Sequence, residues 1–145
     1  MQTEKHDVTI LLVDDDEVDA RAIRRAFRKK KVANTLIRAH DGLEALDIVR
    51  GTNGREPIAR PYLILLDLKM PRMNGLAFLE ALRADPVHSD AIVFVLTTSD
   101  DEQDILGAYE HNVAGYLLKQ DAAGGLMKHV EMLDQFMVSV QFPST

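Results

Sequence analysis

Leu63-Ile64-Leu65-Leu66-Asp67 is an apolar run closed by a single acid, and near the N-terminus Ile10-Leu11-Leu12-Val13 runs likewise into Asp14-Asp15-Asp16. Apolar stretches of this length without alternation suit strands covered on both faces, as in a parallel sheet. At the carboxyl edge of such a sheet ligands and chemistry collect, so acids ending two of its strands can converge although they lie far apart in the chain.

Outward from these two runs, short apolar segments alternate with longer amphipathic ones five times over, the order of βα units joined by right-handed crossovers. The pattern predicts an α/β fold, a doubly wound five-stranded parallel sheet with five helices. Strands are expected over about 8–13, 35–39, 62–66, 91–97 and 115–118, and helices over about 17–30, 42–51, 75–84, 101–112 and 122–138. The third and fourth strands are apolar nearly throughout, which places them centrally. Asp16, Asp41 and Asn74 are set to cap the first three helices, Pro86 stops the third, and Asp100 opens the fourth. Gly51-Thr52-Asn53-Gly54-Arg55-Glu56-Pro57 reads as a flexible surface loop before the third strand.

A chain of 145 residues suits one domain, 1–145, with 139–145 as a C-terminal extension. At that size about two thirds of the unfolded surface can be buried. The absence of cysteine excludes disulfides, thiolate chemistry and Cys-ligated zinc. A net charge of -6 argues against non-specific nucleic-acid binding. The basic residues Arg21, Arg24, Arg25, Arg28, Lys29, Lys30 and Lys31 read as a solvated helix end that meets the negative pole of the helix dipole. Met1 to Asp7 lack the apolar core of a signal peptide, and no apolar run approaches the ~20 residues of a membrane span, so a cytoplasmic location without membrane contact is expected. His6, His40, His88, His111 and His129 show no ligand spacing and read as structural or exposed.

The remaining strand ends are polar too. Thr97, with Thr98 and Ser99 behind it, closes the fourth strand, and Lys119 follows Gly115-Tyr116-Leu117-Leu118. Acids, a hydroxyl and an amine thus share one sheet edge. Three like charges within a few ångströms raise one another's pKa unless a cation intervenes, so Asp14, Asp15 and Asp67 read as a hard-metal site with Mg2+ its natural occupant. Mg2+ keeps several waters and so leaves positions for a phosphoryl oxygen, while the lysine and the threonine hydroxyl offer charge balance and a hydrogen bond. This set suits phosphoryl transfer onto a carboxylate. Asp16, one step past the pair, reads as a helix cap.

These residues resemble the response-regulator receiver domain of two-component systems, over nearly the whole chain. The likeness rests on the acidic doublet Asp14-Asp15, on Asp67-Leu68-Lys69-Met70-Pro71-Arg72-Met73-Asn74-Gly75, and on Thr97 followed by Gly115-Tyr116-Leu117-Leu118-Lys119. It implies the flavodoxin-like strand order 2-1-3-4-5. It also implies Asp67 as phosphoacceptor, Thr97 and Lys119 as catalytic groups, and Thr97 with Tyr116 as switch residues. Mg2+ would be held by Asp15 and Asp67 directly, by Asp14 through water, and by the Lys69 backbone carbonyl, the Lys69 side chain being incidental. The partner implied is a histidine kinase, and the output a phosphorylation-dependent change of the surface formed by the fourth helix, fifth strand and fifth helix. Such a domain is not a conventional enzyme, although it can lose its own phosphoryl group.

The chain departs from the family pattern after the lysine, where the usual proline, preceded by a cis peptide, is replaced by Gln120. A cis bond before a non-proline residue costs about 2.5–4 kcal/mol, so either strain is tolerated there or the loop takes a trans path. No output domain is evident, which puts signal delivery on the receiver itself. The apolar tail from Val130 to Pro143, and the segment Val95 to Glu102, resemble the single-domain regulators that partner bacterial phytochromes. Phe136 and Phe142 are the candidate dimer contacts of a homodimer; the alternative is that both fold back on their own domain. Two functional rivals stand beside this reading. A haloacid-dehalogenase-type phosphohydrolase needs a second acid where Lys69 stands, and a receiver-shaped scaffold that is never phosphorylated has only Gln120 in its favour.

Overall fold

The computed structural model describes residues 7–119 and 124–143. The elements, in chain order, are β1 (Thr9–Val13), α1 (Glu17–Lys29), β2 (Leu36–Ala39), α2 (Gly42–Arg50), β3 (Tyr62–Leu66), α3 (Gly75–Ala84), β4 (Ile92–Thr97), α4 (Glu102–Glu110), β5 (Gly115–Leu118) and α5 (Gly125–Ser139). The five strands form one parallel sheet in the order β2-β1-β3-β4-β5. β3, buried at every residue, is the central strand, and β4 lies next to it.

Alternation along the strands divides the core in two. Leu11, Val13, Ile64, Leu66, Val93 and Val95 face one side, where Ala45, Ile48 and Val49 of α2, Phe78, Leu79 and Leu82 of α3, and Ala108 of α4 cover them. Ile10, Leu12, Leu63, Leu65, Phe94 and Leu96 face the other, under Ile23 and Phe27 of α1 and Val130, Leu133 and Met137 of α5. A continuous apolar run can be buried only because both faces are roofed.

Asp16, Asp41 and Asn74 do cap α1, α2 and α3, each accepting from an N–H in the first turn. α3 ends at Ala84, with Asp85 as its C-cap just before Pro86. At α4 the cap is Asp101, not Asp100: its carboxylate accepts from Gln103 N–H at 2.7 Å. The loop after α2 is tied rather than loose, since Asp47 accepts from Thr52 Oγ1 at 2.7 Å and from Asn53 Nδ2 at 3.0 Å.

The C-terminal tail lies against its own domain. Phe142 is buried, and Phe136 stands edge-on between it and Phe94, with ring centroids 5.8 and 4.9 Å apart. Both rings pack on the chain's own core, Phe142 buried within it and Phe136 half-buried against it. Each ring has a T-shaped partner within the domain, a geometry favourable beyond area burial and the one the fold-back alternative describes. Among the described residues no helix is long and apolar enough to cross a membrane.

Candidate functional site

β1 and β3 pair in register with Val13 opposite Leu66, so the next residues, Asp14 and Asp67, leave the sheet side by side. Asp67 N–H donates to the Val13 carbonyl at 2.9 Å, and Asp14 N–H to the Ala39 carbonyl at 3.0 Å. Both carboxylates are buried, whereas Asp15 is exposed, and the three present oxygens within 4.8 Å of one another. Burial pushes the Asp14 carboxyl up, although Lys119 and the Asp16 N–H oppose the shift.

One cation answers these acids. Lys119 Nζ lies 2.6 Å from Asp14 Oδ2, 2.9 Å from Asp19 Oδ2 and 3.0 Å from Asp67 Oδ2. Burial works against the ammonium, but Asp14, Asp19 and Asp67 outweigh it and hold the lysine firmly protonated. β5 delivers it, for Lys119 N–H donates to the Thr97 carbonyl at 2.8 Å as the strand ends.

The other oxygen of Asp67 is also engaged. Thr97 Oγ1, fully buried, donates to Asp67 Oδ1 at 2.7 Å, and Lys69 N–H makes a longer contact of 3.3 Å to the same atom. The turn after β3 can pass this close because residue 75 is glycine: a Cβ there would stand 2.6 Å from the Asp67 carbonyl oxygen. Beside the cluster an open cavity of ≈ 480 Å³ is lined by Asp15, Asp19, Asp67, Thr98 and Lys119, giving solvent-borne reactants a way in.

Asp14, Asp15, Asp67, Thr97 and Lys119 therefore meet as the sequence anticipated. The Lys69 side chain, outside the acidic cluster, points to α4, where its Nζ lies 3.2 Å from Asp104 Oδ2 in the first turn. Asp104 also accepts from Ser99 Oγ at 2.6 Å, and that hydroxyl, followed by Lys69, draws its carboxyl below the usual range. Tyr116, half-buried, donates its hydroxyl to the Ser99 carbonyl at 2.8 Å. A polar chain thus runs from the turn after β3 through α4 and the turn after β4 to β5. Asp19 and Asp104 were not foreseen, because an acid in a helix's first turn is already explained by the helix dipole and only tertiary approach reveals a second partner. The Lys119–Gln120 peptide lies outside the described residues.

Residues 10–131 match the response regulator receiver domain family. The chain belongs to that family. Response regulator Rcp1 of Synechocystis sp. is 35% identical over 127 residues, spanning 88% of this chain and 86% of the relative. The crystal structure of Mn2+-bound Rcp1 aligns with a TM-score of 0.83 at 34% identity, covering 94% of this chain and 99% of that one. The phosphorylated cyanobacterial phytochrome response regulator RcpA aligns with a TM-score of 0.85 at 32% identity, covering 95% and 99%. Strand order and layering are those of receiver domains, and the chain is related to phytochrome response regulators.

Proposed function

We propose that Asp67 accepts a phosphoryl group from the phosphohistidine of a histidine kinase, with Mg2+ held by Asp14, Asp15 and Asp67. The observation that carries this is the convergence on one carboxylate of an ammonium at 3.0 Å and a hydroxyl at 2.7 Å, with two further carboxylates within 4.8 Å. Three oxygen donors, one of them exposed, fit a hard cation that keeps water, and the relative Rcp1 has been crystallised with Mn2+. When bound, the cation neutralises the acids and the charge on the incoming phosphoryl oxygens.

In the transfer the P–N bond of the donor breaks, a P–O bond to Asp67 forms, and the imidazole leaves with the electron pair. Lys119 and Thr97 already sit where two of the phosphoryl oxygens would arrive. Thr97 needs only to exchange the carboxylate oxygen for a phosphoryl oxygen, and its neighbour Ser99 carries the change to Tyr116. The α4-β5-α5 face then changes as a two-state repacking. A phytochrome-type kinase is the partner favoured by the likeness to Rcp1 and RcpA, and the cytoplasm is the compartment in which the two would meet. In this reading the domain receives a signal rather than turning over a substrate as a conventional enzyme.

Incubation with acetyl phosphate and Mg2+ followed by intact mass measurement tests the proposal. Wild type should gain one phosphoryl group and Asp67→Asn none. A wild-type protein that gains no mass would favour the unphosphorylated scaffold.

A further inference from the structure

An ammonium has three donors, and Lys119 directs them at three carboxylates. Two of these, Asp14 and Asp67, belong to the cluster suited to a divalent cation; the third, Asp19, does not. Asp19 stands in the first turn of α1, where its N–H is fixed by the Asp16 cap at 3.0 Å. Its side chain is 37% exposed against 9% for Lys119, so it closes the solvent side of the lysine.

A cation bound by Asp14 and Asp67 competes with the ammonium for the same oxygens, and phosphorylation removes the carboxylate anion of Asp67 altogether. Asp19, outside the cluster suited to the cation, keeps the same carboxylate for the lysine before and after the transfer, while the partner on Asp67 changes from a carboxylate to a phosphoryl oxygen. Resting on the phosphoacceptor reading of Asp67, we propose that Asp19 is a positioning residue that holds the Lys119 ammonium beside Asp67 while metal and phosphoryl group claim its other partners.

The rival role for Asp19 is a helix-dipole acid with no effect on Lys119. Two readouts separate them. In 15N-lysine-labelled protein with Mg2+, the Lys119 ammonium should give a slowly exchanging signal that vanishes in Asp19→Ala; a signal that persists in the variant, or that wild type never shows, overturns the proposal. Phosphorylation of Asp67 by acetyl phosphate should slow on the order of 10-fold in Asp19→Ala, short of the ~10²-fold of misplacing a reacting group by an ångström. It should slow less in Asp19→Asn, which keeps an acceptor. Adding Asp19→Ala to Lys119→Ala should cost nothing more. Unchanged rates in Asp19→Ala, or a full further loss in the Lys119→Ala background, overturn it as well. Should wild type take no phosphoryl group, the Asp67 reading fails, and the ammonium signal still decides whether Asp19 anchors the lysine.

Discussion

The two ends of the sheet treat polar groups in opposite ways. At the carboxyl edge three acids, Asp14, Asp19 and Asp67, surround one lysine with Asp15 beside them, and neighbouring carboxylates oppose one another's ionisation. At the amino edge the buried groups are neutral or fully partnered. Tyr62 and His88 share a 2.8 Å hydrogen bond, and Arg83 donates to the carbonyls of Ser89, Ala91, His111 and Asn112 at 2.7–3.2 Å, fixing the chain as it enters β4 and β5. One edge is built for stability. The other holds charge that a cation and a phosphoryl group can rebalance.

The contrast can be broken at its stable end first. Arg83→Ala removes donors from four carbonyls and should lower unfolding free energy by about 2–3 kcal/mol in a urea titration, whereas a loss below about 0.5 kcal/mol would mean that water replaces the guanidinium. At the acidic end Mg2+ should act in the other direction, adding about 2.7 kcal/mol at a hundred times its dissociation constant. That gain should fall in Asp67→Asn, which removes a ligand charge.

The two ends should also differ in sign with pH. Burial lowers the His88 pKa from 6.5, so the unfolded chain binds the proton first. The stability His88 contributes is complete above 6.5 and is lost as pH falls towards the folded value. Asp14 is the reverse: its pKa is raised above 3.8, so its contribution is complete below 3.8 and is lost as pH rises through the folded value. In metal-free protein, the stability difference between wild type and His88→Gln should therefore shrink on acidification, and that between Asp14→Asn and wild type should shrink too. Equal slopes for variant and wild type in either pair would remove that residue from the explanation.

The smallest effect is expected at the polar chain to α4. Lys69 is 66% exposed on its side of the Asp104 ion pair, so Asp104→Ala should cost only about 0.5 kcal/mol of stability. It should nevertheless loosen Ser99 and the carbonyl to which Tyr116 donates, readable as a change in the Tyr116 ring resonances.

Where a residue's role follows from chain-local pattern, the sequence was enough. The doubly apolar strands, the caps Asp16, Asp41 and Asn74, and the acids closing β1 and β3 all follow from period, capping chemistry and the rule that places sites at the carboxyl edge. The contacts that escaped were those with two explanations of different range. Asp19 looks complete as a helix-start acid until β5 brings Lys119 against it. Lys69 looks like a solvated side chain until α4 presents Asp104. An apolar tail fits a partner's surface and its own core equally well, so the ring of Phe136 between Phe94 and Phe142 emerges only from tertiary contact.

Peptide mapping of the protein after exposure to acetyl phosphate, with Mg2+ and with a chelator, tests the role of the acidic edge most directly. One phosphoryl group on Asp67, formed with Mg2+ and absent with chelator, is the expected result. Modification at another residue, at a rate indifferent to the metal, would contradict it.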